Sequence, residues 1–464
     1  MLNRTISLIL SLVMCLSLTA CGNNDSPEIA AKPESTASLE NNSTQEKDEI
    51  IISGVVSESE SSAALEKDST QEPENEQVAV YEPERSEIDT LSWDFDSSTG
   101  TLSIHGSGPM RTFINSDPEW SVHKDEIRTV IVDDGITSVG AYAFSDFRSL
   151  TEVRLPDSVE VIDVCAFDYD WELRTITIPA SLKYIGYRAF YNTLLWEPND
   201  LIFPEGIEYI GDYAFHSALK SGGIVSLPSS LKYLGKQAFT NAYLSDFLIS
   251  EGNPYYCTDN QAIYTKDMRE LLMLAPVTDG IGEFRIPDGV ESICEECFNV
   301  IHGISTVYIP ASVTDIAEGA FFSTFDLKEI IVDEANSKYK SENGLLLSKD
   351  GTLLLAWPDG IQSNELIIPD GVERLSGHLF YGRFDEDYTV VLPESVRELG
   401  TMSLPYSIAL LSLPNSLEKV DANVFYDGIS VDAIYYNGTE ADWGRVTIED
   451  GNGGLNTAAI NWNS

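Results

Sequence analysis

The chain has 464 residues, 43% of them hydrophobic, and a formal net charge of −47 at pH 7. The hydrophobic content is typical of a globular protein. The charge disfavours nucleic acids and anionic lipid surfaces as partners, because phosphate binding requires clustered Lys and Arg. It identifies no partner, since a well-solvated acidic surface explains it.

Residues 1–20 have the features of a secretory signal peptide. Arg4 precedes an apolar run at 6–18 that is too short for an ordinary transmembrane helix. The sequence LTACG at 18–22 resembles the lipobox of bacterial lipoproteins, which implies lipidation of Cys21. Two or three acyl chains on Cys21 would hold the protein firmly at a membrane. The alternative is a plain secretory peptide with an incidental cysteine.

Residues 21–87 are rich in Ser, Glu, Thr, Asn and Pro and have almost no aromatic residues. Such a segment cannot bury enough apolar surface to offset its ordering entropy. We therefore predict a disordered acidic linker that tethers a folded head to the membrane.

Ordered structure is expected from Ile88 onward. Residues 91–95 and 101–104 alternate apolar and polar side chains, and a turn separates them, which predicts a β-hairpin. A loop with Trp120 follows. A hairpin with exposed aromatic residues suits an N-terminal β-hairpin cap over 88–126, since the first coil of an array would otherwise be open.

A short pattern that ends in Ala-Phe recurs along the rest of the chain. It reads LPDSVEVIDVCAF up to Phe167 and IPASLKYIGYRAF about 23 residues later, and related segments end at Phe215, Phe239, Phe298, Phe321, Phe380 and Phe425. Self-similarity at such a period indicates a solenoid. In each unit a strand ends at a proline, a second extended segment follows, and a short helical turn ends in Ala-Phe. The pattern predicts parallel strands stacked over residues 127–430.

The repeat resembles the leucine-rich repeat superfamily, and in particular its BspA-like class, through the motif I-x-[IL]-P-x-[SG]-[VL]-x-x-I-x-x-x-A-F. The flanks at 93–108 and 435–443 resemble those of the class. This resemblance implies a leucine-rich repeat solenoid, mainly β, with a C-terminal cap over 431–464, and a role in adhesion or protein interaction. The motif loses its Ala-Phe at 401–403, where a distorted coil is expected.

Two gaps in the array, Phe239 to Phe298 and Phe321 to Phe380, are both 59 residues long. Each contains a strand, a Lys-Asp turn and a second strand, which predicts β-hairpin inserts near 250–282 and 332–364. Insertions in a solenoid map to one face and can border a binding surface. The alternative is a structural insert that simply extends the sheet.

The sequence carries no signature of an enzyme, a metal site or a cofactor site. Nucleophile-elbow, phosphate-loop and dinucleotide motifs are missing, and five scattered histidines lack ligand spacing, namely His105, His123, His216, His302 and His378. Cys294 and Cys297 look like half a zinc or redox site. In the repeat register, however, Cys297 replaces a core alanine, and Cys165 is likewise predicted in the core. Any disulfide among Cys165, Cys257, Cys294 and Cys297 stays open.

The candidate binding site is the outward position before each Leu-Pro or its equivalent. Along the array this position holds Arg154, Thr177, Ile202, Ser226, Leu248, Arg285, Tyr308, Ile331, Ile367, Val391 and Ser412. Parallel strands would stack these side chains into one exposed ladder. About half are apolar, whereas a solvated face is mostly polar, so the ladder is predicted to be a recognition surface. β-propensity in a partly covered sheet is the alternative.

Together these features predict an exported lipoprotein, membrane-anchored through Cys21 at the bacterial cell surface. Its solenoid is expected to bind an extracellular protein or mediate adhesion, without nucleic acid. The alternative function is a glycan-binding or wall-associated structural protein, in which exposed Trp171, Trp196 and Trp357 would stack on sugar rings.

Overall fold

A computed structural model describes residues 91–114, 116–195, 200–220, 222–275, 282–380, 387–426, 428–456 and 459–462. The predicted signal peptide, Cys21, the 21–87 linker and Trp196 lie outside the described residues. Within them, the predicted solenoid of parallel strands is confirmed.

The chain enters the solenoid through a β-hairpin. Strands β1 (Ser92–Asp96) and β2 (Thr101–His105) pair antiparallel, and β3 (Gly108–Pro109) follows. Trp120 lies in a 3₁₀ turn at Glu119–His123 and is buried. Its ring stacks on Phe144, and its Nε1 donates a hydrogen bond to the carbonyl of Ala143 at 2.9 Å. Trp120 therefore covers the open end of the hydrophobic core.

Each coil contributes one strand to a first wall and one to a second wall. The first stretch of coils contains β4 (Thr129–Val132), β5 (Ile136–Val139), β6 (Glu152–Arg154), β7 (Val161–Ile162), β8 (Thr175–Ile176), β9 (Tyr184–Ile185), β10 (Leu201–Ile202), β11 (Tyr209–Ile210), β12 (Gly223–Leu227), β13 (Tyr233–Leu234) and β14 (Leu244–Ile249). The first wall has the sheets β1-β2-β4-β6-β8 and β10-β12-β14. The second wall has the sheet β13-β11-β9-β7-β5-β3. Leu, Ile and Val on alternate positions point inward from both walls.

The central part of the chain repeats one arrangement twice. An insert, further coils and a second insert contain β15 (Tyr256–Asp259), β16 (Ala262–Thr265), β17 (Glu270–Leu274), β18 (Gly282–Arg285), β19 (Ser292–Ile293), β20 (Ile304–Ile309), β21 (Asp315–Ile316), β22 (Glu329–Val332), β23 (Tyr339–Glu342), β24 (Leu345–Ser348) and β25 (Leu353–Ala356). Each insert has three antiparallel strands rather than the two that the sequence predicted. The first strand was missed because it is polar and half-exposed.

The last coils and the C-terminal cap complete both walls. Their strands are β26 (Glu365–Ile367), β27 (Arg374–Leu375), β28 (Tyr388–Val391), β29 (Glu398–Leu399), β30 (Ser407–Leu413), β31 (Lys419–Val420), β32 (Ser430–Val431), β33 (Ala433–Tyr436), β34 (Thr447–Ile448) and β35 (Ala459–Trp462). Helix α1 (Glu440–Trp443) begins with a capping box formed by Thr439 and Asp442. A 3₁₀ turn at Gly453–Asn456 precedes the last strand.

A buried asparagine and a tyrosine hydroxyl attach each insert to the coil before it. In the first insert, Asn253 Nδ2 donates to the carbonyls of Pro228 and Leu231 at 3.0 and 2.9 Å. The hydroxyl of Tyr256 accepts the N–H of Leu234 at 3.0 Å, where the second wall has no neighbouring strand. A tyrosine side chain thus satisfies backbone groups that would otherwise be orphaned.

The second insert repeats these contacts with Asn336 and Tyr339. Asn336 Nδ2 bonds the carbonyls of Pro310 and Val313, each at 2.9 Å. The hydroxyl of Tyr339 accepts the N–H of Ile316 at 3.0 Å. The two inserts are therefore equivalent structural units.

The Ala-Phe segments form a third side, the turn wall. They are turns rather than helices, because the residue before Ala has a positive φ, for example 52° at Cys165 and 53° at Arg188. This conformation directs amides toward the next coil, so the N–H of Phe167 donates to Ala189 at 2.9 Å. The rings also stack, with Phe167 and Phe190 centroids 5.3 Å apart. The turn wall is a third hydrogen-bonded side of the solenoid.

The turn at 401–403, expected to be distorted, keeps the left-handed backbone conformation of the other turns. Met402 has the positive φ of the turn wall, and Ser403 and Leu404 are fully buried in the places of Ala and Phe. The N–H of His378 donates to the carbonyl of Thr401 at 2.8 Å, as in the other turns. A small residue and an apolar residue therefore satisfy this turn without the Ala-Phe pair.

Gly211 lies where the second wall meets the turn wall, in close contact with the preceding coil. A Cβ on Gly211 would lie 2.6 Å from the backbone nitrogen of Tyr187 in the preceding coil. We predict that Gly211→Ala lowers the free energy of unfolding by about 1–3 kcal/mol, because the coils must separate to admit the methyl group. Denaturant titration of the variant and the parent chain measures the difference.

Gly444→Ala is the matched control. Gly444 has φ −61° and ψ −5°, and a Cβ there meets nothing closer than 3.7 Å. The free energy of unfolding should stay unchanged or rise slightly. Equal destabilisation by both changes would contradict the packing argument.

Candidate functional site

The predicted ladder residues lie side by side on the first wall wherever their strands pair. Ile202 is paired with Ser226, which is paired with Leu248. Similar rows join Arg285, Tyr308 and Ile331, and then Ile367, Val391 and Ser412. We call these eleven residues, from Arg154 to Ser412, the first-wall ladder.

The first-wall ladder is divided into four stretches instead of forming one row. Residues 260–261 at the tip of the first insert line an open recess with Asp246 of β14 and Arg285 of β18. The second insert continues the wall beyond β22, since the N–H of Ile330 donates to the carbonyl of Gly344 at 2.9 Å. A third break separates β8 from β10. The inserts therefore bound the central stretch on both sides.

Several ladder side chains are strongly exposed although they are apolar. Ile202 is 66% exposed, Leu248 51% and Ile367 59%. Arg154, Thr177 and Arg285 are also exposed, whereas Ser226, Tyr308, Ile331, Val391 and Ser412 are half-buried. Ile202 and Leu248 lie in one stretch on either side of Ser226, and Ile367 lies in another. We call these exposed apolar side chains at ladder positions the apolar stripe, which water solvates poorly.

The central stretch adds charge to this stripe. The guanidinium carbon of Arg285 lies 3.5 Å from the ring centroid of Tyr308, and its Nη2 lies 2.9 Å from Glu283. An adjacent recess of about 550 Å³ is lined by Arg285 and Tyr308 together with Asp259, Asp288 and Asp333. An occupant of this recess would meet an aromatic cation pair with three carboxylates around it.

The sequence reading missed members of the same row. Ile131 pairs with Arg154, and Tyr435 pairs with Ser412 and is 47% exposed. Neither precedes a Leu-Pro pair, and the two residues lie at opposite ends of the array. Strand alternation, the signal that remains at both places, would have found them.

His105 connects the cap hairpin to the first coil at the N-terminal end of this wall. Its Nε2 lies 2.5 Å from Asp94 of β1, and its Nδ1 lies 2.8 Å from Asp133. The hydrogen bond to Asp94, followed by that to Asp133, raises the pKa of His105 above its usual value. Protonated His105 therefore bridges two carboxylates on separate elements.

Two of the three tryptophans of the glycan alternative, Trp171 and Trp357, are not exposed platforms. Trp171 and Trp357 are both partly buried, and their indole nitrogens are buried. Trp357 packs against the core and lies 5.5 Å from the ring of Phe380. Packing against the solenoid leaves little of either ring for sugar stacking.

The four cysteines of the solenoid are free thiols. Cys165 and Cys297 are buried at core positions, as predicted. Burial raises the pKa of Cys165 to about 12 and that of Cys297 well above its usual value. These thiols therefore behave as small apolar side chains.

No cluster of three or more His, Cys, Asp or Glu residues in the described part of the chain is arranged to hold a metal ion. No helix in the described ranges is long and apolar enough to cross a bilayer.

A family model for the BspA type leucine rich repeat region matches the chain in six copies. The matches span 122–245, 197–262, 278–343 and 359–445, which together cover more than half of the sequence. No curated protein matches the chain significantly.

Several solved structures are similar in fold. A leucine rich cell surface protein from Faecalibacterium prausnitzii is 17% identical, with 79% of this chain and 98% of that chain covered and a TM-score of 0.37. A leucine-rich repeat protein from Bacteroides ovatus is 18% identical, with coverages of 81% and 99% and a TM-score of 0.36. The pneumococcal vaccine antigen PcpA is 15% identical, with coverages of 81% and 98% and a TM-score of 0.29. Likeness at these values carries no argument about function.

We predict that His105 makes the stability of the cap depend on pH. A raised folded pKa means that the stabilisation is fully present below pH 6.5 and is lost as pH rises through the raised value. At pH 6 the amides of β1 should exchange faster in His105→Gln than in the parent chain, and at pH 9 the difference should disappear. Hydrogen exchange detected by mass spectrometry measures both.

His302→Gln is the control, because His302 lies near Asp326, far along the array. It should leave exchange in β1 unchanged at both pH values. A constant difference between His105→Gln and the parent chain from pH 6 to pH 9 would contradict the bridging role.

Proposed function

We propose, since this chain belongs to the BspA-type leucine-rich repeat family, that it is a surface-exposed scaffold that binds another extracellular protein through the first-wall ladder. The observation that carries the proposal is the apolar stripe, whose residues Ile202, Leu248 and Ile367 are all more than half exposed. Large apolar side chains exposed at the same position of several strands favour association with a partner.

The surroundings of the stripe indicate which partner surface would fit. Apolar anchors such as Ile202 and Ile367 lie on a chain with a net charge of −47. A partner with apolar side chains at its centre and basic residues at its rim would gain burial at the stripe and faster association from long-range attraction. Adhesion is the biological form that such binding would take at a cell surface.

The ladder is tested by charge substitution. Ile202→Glu and Ile367→Glu should each reduce capture of a bound protein at least tenfold, because an unpaired carboxylate would be desolvated in the interface. The chain is immobilised, exposed to extracellular proteins from its natural surroundings, and the captured proteins are quantified by mass spectrometry. Purified candidates are then titrated against parent and variants.

Ile448→Glu is the matched control. Ile448 is an exposed isoleucine on β34 of the second wall, and the same change there should leave binding unaffected. Circular dichroism confirms that each variant is folded. If folded Ile202→Glu and Ile367→Glu bind the partner as tightly as the parent chain, the ladder is not the interface.

The same proposal includes attachment of the chain to a membrane through lipidated Cys21. Cys21→Ala should move the protein from the membrane fraction to the soluble fraction, because the acyl chains provide the hydrophobic anchor. Fractionation followed by immunoblotting measures the distribution. Continued membrane association of Cys21→Ala would show that another segment holds the protein there.

A further inference from the structure

The two inserts create two equivalent junctions in the second wall. At the first junction β17 pairs with β19, and at the second junction β25 pairs with β27. This register places Ser292 of the first junction where Arg374 stands in the second. It also places Asp315 where Glu398 stands, since each is the next residue across the sheet.

At the second junction the side chain of Arg374 fills the space next to the position that is equivalent to Ser292. The guanidinium of Arg374 reaches back over the junction to Glu318, with Nη2 and Oε1 3.6 Å apart. On its other side, Nε lies 3.7 Å from Glu398 and Nη2 lies 3.9 Å from Asp421. An arginine is thus held among three carboxylates at this place in the fold.

At the first junction the corresponding space is open. A cavity of about 270 Å³ is lined by Ser292, Glu270, Asp315, Glu295 and Lys236. Leu272, Met273 and Ile293 supply an apolar side. This volume suits one side chain rather than a drug-sized ligand.

The charges at the cavity favour a cation. Glu270 and Asp315 flank Ser292 on the two neighbouring strands, as Leu353 and Glu398 flank Arg374. Lys236 occupies the position that corresponds to Glu318. Glu270 of β17 supplies a carboxylate where the second junction has Leu353. Three carboxylates against one ammonium leave the cavity negative.

We propose that this cavity is a receptor for an arginine side chain of a partner protein. Its occupant would take the place that Arg374 fills in the second junction. A planar guanidinium presents donors to carboxylates on both sides, and its methylene stem can lie along Leu272 and Met273. The site lies on the second wall and is independent of the first-wall ladder.

The probe is Nα-acetyl-L-arginine methylamide, titrated against the full chain by calorimetry at low ionic strength. Binding should be saturable, and the uncharged citrulline counterpart should bind at least tenfold more weakly, since it keeps the shape and loses the charge. The paired change Glu270→Gln with Asp315→Asn should weaken arginine binding at least tenfold. Equal binding of the two probes, or no saturable arginine binding, would overturn the proposal.

A second variant tests the analogy between the junctions directly. Ser292→Arg should fill the cavity with the protein's own side chain and abolish probe binding, whereas Ser292→Ala should keep it. Unchanged arginine binding by folded Ser292→Arg would also overturn the proposal. Ile367→Glu, which disables the ladder, should bind the probe normally, so failure of one proposal is distinguishable from failure of the other.

Discussion

Hydrogen bonding between successive coils on all three sides is the constraint on which the structure depends. Parallel strands lie about 4.8 Å apart, and the turn wall keeps the same spacing through bonds such as Phe167 N–H to Ala189. At Gly211 the coils approach so closely that a Cβ would collide with the backbone of the preceding coil. Side chains that point inward from the three sides fill the core, and the phenylalanine rings of successive coils stack along the solenoid axis.

The periodic part of this arrangement could be read from the sequence because each coil repeats the same local demands. Leu-Pro marks the end of a strand, and Ala-Phe marks the turn. The left-handed residue before Ala was not foreseen, because residues as different as Arg188 and Met402 adopt it, and only the neighbouring coil's hydrogen bonds enforce it. The same reason makes Ser403 and Leu404 acceptable, since the site selects small size and apolar bulk rather than two residue types.

The candidate sites differ in how far sequence could locate them. The first-wall ladder follows from strand alternation, so most of its members were found, and Ile131 and Tyr435 were missed at the two ends of the array. The inserts interrupt the first-wall ladder at the places where their tips pack against its strands. These contacts join residues that are distant in the sequence, so no local pattern predicts them. The cavity at Ser292 becomes visible only when two distant junctions are compared in space, because Ser292 and Arg374 occupy a position of the repeat motif that accepts many residue types.

Each insert also carries the groups that close the coil before it. Asn253 and Tyr256 satisfy the preceding backbone, and β17 returns the chain to the parallel sheet. Asn336 and Tyr339 recur about 83 positions later with the same bonds. A segment that brings its own end-closure can be duplicated or deleted as a block without exposing a core. The length of such a molecule is thus free to change in whole units, separately from the surfaces that its other coils present.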